Sequence, residues 1–356
     1  MEMYTLTAMR QLLTRGIEVH LLCFEGSTLQ KEAREQGLTV YSSTASSYFH
    51  PKEIYTVSKL LRAEKFDLIH THASKDLWLL TPAIKLSGLS LPLFLTKHVG
   101  SYIAKKDLLH RWIYSSVTKA FAISNVIKRN LLDTCPLTED KIILLHDGID
   151  MSRFHPGAAN AEEVKKELGI QPGEITLGMT GRFSPGKGHE EYLKAMAGLR
   201  EEFPHSRGII VGEASYGETA YGDNIKSMAK ELKLDNVLFA GYRKDTERMY
   251  AAMDIFVFPS HSEAFGMALV EAMAMGKPSV CTNSDGVPDI AVDNETSFLF
   301  TKQSAEDLEE KLRILLRSEE LRNTFSRNAV IRARKLFDIE ILTDRVIKLY
   351  LENMYG

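Results

Sequence analysis

Short apolar runs alternate with longer amphipathic stretches along almost the whole chain. The runs at 18–24, 38–41, 67–70, 93–97, 120–123 and 142–145 are bounded by polar residues or turn formers, and predict buried strands of a parallel sheet. Between them the apolar positions recur at helical spacing, as at 51–64 and 107–118. The segment His146-Asp147-Gly148-Ile149-Asp150, followed by Phe154-His155-Pro156-Gly157, breaks the alternation, and its Gly and Pro punctuation predicts an interdomain connection. A second series of apolar runs lies at 175–179, 208–211, 237–239, 255–258, 279–281 and 298–300. Three helical stretches, near 304–316, 319–336 and 340–354, close the chain. Two rounds of strand–helix alternation predict an α/β fold of two doubly wound, Rossmann-like domains, 1–152 and 153–337, facing a cleft lined by the carboxyl ends of both sheets. Ligands favour such edges.

Composition narrows this picture without changing it. At 356 residues the chain is long enough for two domains, and its 26% charged and 44% hydrophobic residues are those of a water-soluble globular protein. A net charge of -3 gives no general attraction to nucleic acid or anionic lipid, so any such attraction must come from a local patch. Cys23, Cys135 and Cys281 are far apart, with no zinc spacing or disulfide framework, which points to a reducing cytoplasm. No apolar run approaches the ~20 residues that span a bilayer. The opening MEMYTLTAMRQLL has no signal-peptide pattern.

The chemistry concentrates at 256–282, FVFPSHSEAFGMALVEAMAMGKPSVCT. Glu263 lies in a Ser/His-rich turn after an apolar strand. Glu271 is expected two turns into a helix that opens near Phe265-Gly266 and stops at Gly276-Lys277-Pro278. A helix N-terminus beside a strand end favours an anion, and a carboxylate along the helix can accept two hydrogen bonds from a vicinal diol. The segment therefore reads as a site for a ligand with both phosphate and sugar. Upstream, the run at 175–179 leads into Thr180-Gly181-Arg182-Phe183-Ser184-Pro185-Gly186-Lys187-Gly188. Arg182 and Lys187 beside a helix N-terminus suit a pyrophosphate.

The order Pro259-Ser260, Glu263, Phe265-Gly266, Glu271-Ala272, Gly276-Lys277-Pro278 between two strands resembles the signature of the retaining nucleotide-sugar glycosyltransferases of family 4, with their GT-B architecture. The resemblance implies transfer of a hexose-type sugar from a nucleotide diphosphate donor to a glycan or lipid-linked acceptor, with no cofactor and no metal. It implies that Glu271 holds the ribose hydroxyls, that Glu263 holds the transferred sugar, and that backbone amides near Phe265, Gly266 and Met267 contact the sugar or its phosphate. Arg182 and Lys187 would stabilise the leaving diphosphate, with Gly181 beside them. Gly212 and Glu213, and Tyr242 and Arg243, would border the nucleotide. His98, in Leu95-Thr96-Lys97-His98-Val99-Gly100, would reach the donor sugar from the first domain. The final helix, from about Asp338, would cross back to that domain. The absence of an Asp-x-Asp pair fits metal-independent transfer. Ser124-Asn125 reads as a helix N-cap.

The chain departs from the family pattern in places. Ala214-Ser215 stands where a second glycine is usual, Asp289 replaces a glutamate in Gly286-Val287-Pro288-Asp289, and Glu295-Thr296-Ser297 lacks a later glycine. The larger departure is at the start. Met1-Glu2-Met3 leads directly into a helix where the family has a strand and a Gly-Gly loop, so the first domain is expected to lack a central strand and to leave two inner sheet edges unpaired. That motivates an alternative, a non-catalytic nucleotide-sugar binder. A dinucleotide oxidoreductase is disfavoured because no G-x-G-x-x-G follows a first strand. The stretch from Tyr102 through Thr118 mixes Lys105, Lys106, Arg111 and Trp112 with apolar residues, and reads either as a peripheral membrane contact or as a helix covering the sheet. The donor base, the acceptor and the oligomeric state stay open.

Overall fold

The computed structural model describes residues 2–45, 48 and 50–354; Met1, where the sequence runs straight into the first helix, lies outside the described residues. The chain divides into two compact units, 1–146 with 339–356, and 147–338. The first boundary falls at 146/147, ahead of the 152/153 read from the sequence, and the last helix joins the first unit from Ile339 rather than Asp338.

In the first unit, six parallel strands form where the apolar runs lie: β1 (His20–Phe24), β2 (Thr39–Ser43), β3 (Ile69–Thr71), β4 (Leu93–Lys97), β5 (Val117–Ala122) and β6 (Ile142–Leu144). They make two sheets, β1-β2 and β3-β4-β5-β6. β1 pairs with β2 and β3 pairs with β4, and among the described residues no pairing joins β1 to β3. The helix Glu2–Thr14 links the two halves through packing. Leu6 and Met9 join Leu21, Cys23 and Ala33, while Leu12 packs on the cluster of Phe94, Phe121, Leu145, Leu342 and Tyr350. Leu342 and Tyr350 belong to the helix Ile339–Met354. All three cysteines are buried, and none is in a disulfide among the described residues.

One element differs in kind from the expectation. The stretch 107–118 is not a single helix. Asp107 caps a short helix, Leu108–Tyr114, and β5 starts at Val117. The β-branched Val117-Thr118 pair extends that strand, and Leu93 N donates to Thr118 Oγ1 at 3.0 Å to join it to β4.

The second unit holds one parallel sheet of β7 (Ile175–Thr180), β8 (Ser206–Val211), β9 (Val237–Gly241), β10 (Ile255–Phe258), β11 (Ser279–Thr282) and β12 (Ser297–Phe300), in the order β12-β11-β10-β7-β8-β9. Relabelled from β7 as the first, this is the 3-2-1-4-5-6 order of a doubly wound domain. Its direction of growth reverses between β7 and β10. All four side chains of β10 are buried, as expected for a strand covered on both faces. The crevice beyond the carboxyl ends of β7 and β10 is where such a sheet binds ligands.

Candidate functional site

The residues singled out in the second unit all follow strand ends of its sheet. Gly181, Arg182 and Lys187 follow β7; Gly212 and Glu213 follow β8; Tyr242 and Arg243 follow β9; Glu263, Phe265 and Gly266 follow β10. Backbone bonds knit these loops together. Gly181 N donates to Val211 O at 3.0 Å, Phe183 N to Glu213 O at 2.9 Å, Gly212 N to Gly241 O at 2.8 Å, and His261 N to Gly186 O at 2.8 Å. Two glycines permit the closest approaches. A Cβ on Gly212 would lie 1.9 Å from Gly181 O, and one on Gly188 would lie 2.2 Å from Pro259 O. Both have positive φ (142° and 80°), a second reason for glycine there.

Across the reversal point, Lys187 Nζ donates to Glu263 Oε1, and Ser260 Oγ donates to the same oxygen at 2.8 Å. The ion pair is partly open to water, with the two side chains 26% and 20% exposed, so neither charge carries the full cost of burial. Gly286 N holds the Glu263 carbonyl at 3.0 Å, which fixes the turn from below. Arg182 reaches the other way, its Nη1 at 3.5 Å from Ser215 Oγ. Ser215 belongs to the Ala214-Ser215 pair that replaces the usual glycine, so this departure supplies Arg182 with a neighbour. A second departure, Asp289, lies in the short helix Val287–Ile290, and its carbonyl accepts from Arg332 Nη2 at 2.9 Å.

Gly266, at φ 125°, turns the chain into the helix Met267–Ala274. The helix is short, so Glu271 stands about one turn in rather than two. Its first backbone bonds run from Leu269 and Val270 to Gly266 O, and the amides of Met267 and Ala268 therefore head out of the N-terminus. Glu271 Oε2 accepts from Tyr250 Oη at 2.9 Å. Desolvation pushes the Glu271 carboxyl up to about 7, against the pull of the Tyr250 hydrogen bond and the charge of Arg153. Tyr242 is exposed. The guanidinium of Arg243 is committed to Asp245 at 2.7 Å and Glu167 at 3.3 Å, which leaves its backbone for any contact with a base.

In the first unit, His98 follows β4 and is buried. Its Nε2 lies 3.1 Å from His72 Nδ1. The rings of His72 and His98 stack, as do those of His70 and His72, and Tyr4 meets His98 edge-on. His70 contacts Tyr350 Oη through Nδ1 and Thr96 Oγ1 through Nε2 at 2.7 Å. Burial, with His98 behind it, holds His70 down to about 3, and burial with both neighbouring imidazoles holds His72 well below the usual value. Burial thus keeps His70 and His72 uncharged; among the described residues no three His, Cys, Asp or Glu side chains are placed to hold a metal. Ser124 caps its helix as expected, accepting from Ile127 N.

Sequence reasoning missed Tyr250 and His72, and quoted Ser260 only as part of the motif, without a role. Tyr250 sits in the helical run Glu247-Arg248-Met249-Tyr250 with nothing to distinguish it from a core aromatic. The His70-Thr71-His72 pattern at the end of β3 was a visible signal, because alternate residues of a strand share a face.

Two family descriptions tile the chain: Glycosyltransferase Family 4 over residues 1–153, and Glycosyl transferases group 1 over residues 160–332. A curated relative, the UDP-Gal:alpha-D-GlcNAc-diphosphoundecaprenol alpha-1,3-galactosyltransferase of Escherichia coli, is 25% identical over 313 residues, 85% of this chain and 79% of that one. Among solved structures, a glycosyltransferase from Rickettsia africae ESF-5 matches with a TM-score of 0.90 at 22% identity, covering 99% of this chain and 94% of its own. Anabaena Alr3699/HepE, crystallised with UDP and glucose, matches with a TM-score of 0.83 at 20% identity, covering 98% and 95%. At these identities the structures establish the fold, a GT-B pair of Rossmann-like domains.

Proposed function

Because the chain belongs to glycosyltransferase family 4, we propose that it moves a hexose-type sugar from a nucleotide diphosphate donor to a glycan or lipid-linked acceptor, with retention at the anomeric carbon and without a metal. The observation that carries this reading is the Lys187–Glu263 contact at the point where the sheet reverses. The contact sets a cation suited to a phosphate beside a carboxylate suited to sugar hydroxyls. Relatives lend support: the Escherichia coli enzyme is named for a UDP-galactose donor and a diphosphoundecaprenol-linked acceptor, and the Anabaena protein was crystallised with UDP.

In this mechanism Arg182 and Lys187 take up the charge that develops as the bond from the anomeric carbon to the phosphate oxygen breaks. The outward amides of Met267 and Ala268 add their dipoles. Glu263 binds sugar hydroxyls and faces the positive charge near the anomeric carbon. Glu271 accepts from both ribose hydroxyls. The acceptor hydroxyl oxygen attacks from the side the diphosphate leaves, and its proton passes to the departing phosphate oxygen.

A thermal-shift screen against UDP-, GDP- and ADP-sugars tests the donor class; a ligand at 100 times its Kd adds about 2.7 kcal/mol of stability. Transfer assays with the stabilising donor then read product configuration by NMR, with and without EDTA. An inverted product, a trapped glycosyl–enzyme adduct or loss of turnover in EDTA would each refute part of the mechanism. No stabilisation by any nucleotide sugar would refute the donor assignment.

A further inference from the structure

The first unit carries an apolar and basic surface that the transfer reaction does not use. Eighteen large apolar side chains are exposed among the described residues, and six of them fall within 99–112: Val99, Tyr102, Ile103, Leu108, Leu109 and Trp112. Tyr102 is fully exposed, Leu108 is 83% exposed and Ile103 71%. The same short helix does have a core face, since Ile113 and Tyr114 are 1% and 2% exposed. Covering the sheet therefore accounts for those two residues and leaves the others in water. Isolated exposed apolar residues need no explanation, but a cluster does.

The charge around the cluster says what kind of partner fits. Lys105, Lys106 and Arg111 lie within it, and Lys85 Nζ stands 6.0 Å from the centre of the Trp112 ring. The only acid between 102 and 112 is Asp107. Its Oδ1 accepts from the amides of Leu109 and His110, both at 3.0 Å, and its Oδ2 meets His110 Nδ1. That carboxylate is turned into the helix and held below its usual range by these bonds. The chain as a whole is negative, so this patch opposes the overall sign. Lysine stems lie along apolar surface with the ammonium in water, and Trp and Tyr settle where hydrocarbon meets headgroups.

We propose that the segment from Val99 to Trp112 docks the first unit on an anionic lipid bilayer. Ile103, Leu108 and Leu109 enter the headgroup–acyl boundary, Tyr102 and Trp112 lie at its level, and Lys85, Lys105, Lys106 and Arg111 meet lipid phosphates. The proposal stands apart from the transfer reaction, because a protein that ignores membranes can still glycosylate a water-soluble acceptor.

Flotation of the full chain with phosphatidylcholine vesicles, with and without about one-third phosphatidylglycerol, tests it. The chain is expected to float with the anionic vesicles and to be released as salt rises. Each charge removed is expected to weaken binding roughly fivefold. The double variant Lys105→Glu/Lys106→Glu loses flotation, as does Ile103→Ser/Leu108→Ser; these are surface positions, and circular dichroism confirms the fold. In a Trp78→Phe background, Trp112 fluorescence shifts to the blue on vesicle addition. Equal flotation of wild type and both double variants, equal binding to neutral vesicles, or a dimer in lipid-free solution that buries Trp112 would each overturn the proposal. Transfer to a soluble acceptor stays unchanged in these variants in every case, which separates this test from that of the reaction.

Discussion

Tyr250 Oη lies 2.9 Å from Glu271 Oε2, and the tyrosine ring that carries it is fully buried between Phe154 and Phe256. A rigid aromatic therefore holds one oxygen of the carboxylate proposed to read the ribose. Tyr250→Phe keeps the packing and removes the hydroxyl. A hydrogen bond to a charged group contributes about 1.5–3 kcal/mol, so donor KM is expected to rise roughly tenfold or more. A change confined to kcat with donor KM intact would argue that Glu271 does not touch the donor.

Glu271 also makes a pH prediction with a definite sign. Its folded value, about 7, is above the ordinary 4.5 of a free glutamate, so the native state holds a proton that the unfolded chain releases between those limits. Stability from this group is complete below about 4.5 and is lost as pH rises toward 7. Glu271→Gln should remove that slope, seen as a difference in urea midpoints between wild type and variant that widens from pH 5 to pH 7. Donor affinity runs the opposite way, improving as the carboxylate ionises near pH 7.

The Lys187–Glu263 contact predicts strong coupling. Removing a donor aimed at developing charge costs about 10²–10³ in kcat. Lys187→Ala should fall in that range, Glu263→Gln should also lower kcat, and the double variant should fall by less than the product of the two because they share one interaction. Strict additivity in a double-mutant cycle would show that the ion pair has no part in the reaction.

Gly188→Ala tests the seam between the loops after β7 and β10. The new Cβ would meet the Pro259 carbonyl at 2.2 Å on a backbone with φ 80°, so the loops must separate. A loss of about 1–3 kcal/mol in stability is expected, with a fall in donor affinity, measurable by chemical denaturation and by KM. An unchanged midpoint would mean that the seam yields freely.

His189 gives the reverse case. It is wholly buried, and neither ring nitrogen has a hydrogen-bond partner. Burial, followed by the charge of Lys187, holds it down to about 4. The unfolded chain takes up a proton near 6.5 that the native state refuses, so stability falls as pH drops from 6.5 toward 4. His189→Phe should be neutral or stabilising at pH 7 and should shallow the acid limb by one proton. A destabilised variant at pH 7 would indicate a polar role for the ring.

Much of this fold was readable in the apolar pattern, because buried parallel strands are continuous apolar runs that polar turns bound sharply. All twelve strands lie where those runs do, most within a residue or two, and the helix Pro51–Glu64 matches its expected limits. The segment 107–118 misled because Ile113 and Tyr114 sit at helical spacing to the core while Val117 belongs to a strand, so two periods met in one apolar run. The candidate loop residues, marked in the sequence by Gly, Pro and charge, all follow strand ends of the second unit's sheet. Tyr250 was not legible, because only the tertiary arrangement brings its hydroxyl to Glu271; His72 was signalled by the His70-Thr71-His72 alternation at the end of β3 but went unread. The helix around Glu271 was overestimated by a turn because Phe265-Gly266 looks like a start, whereas Gly266 at φ 125° stands outside it.

The separation of β1-β2 from β3-β4-β5-β6 gives the first unit a weak joint. Among the described residues no ladder of amide bonds crosses it, and side-chain packing against the helix Glu2–Thr14 carries cohesion across that line. The smaller pair can therefore peel away with its own helix, Thr28–Glu35, while the larger sheet stays intact. In hydrogen–deuterium exchange, amides of His20–Phe24 should lose protection together, well before those of Leu93–Lys97.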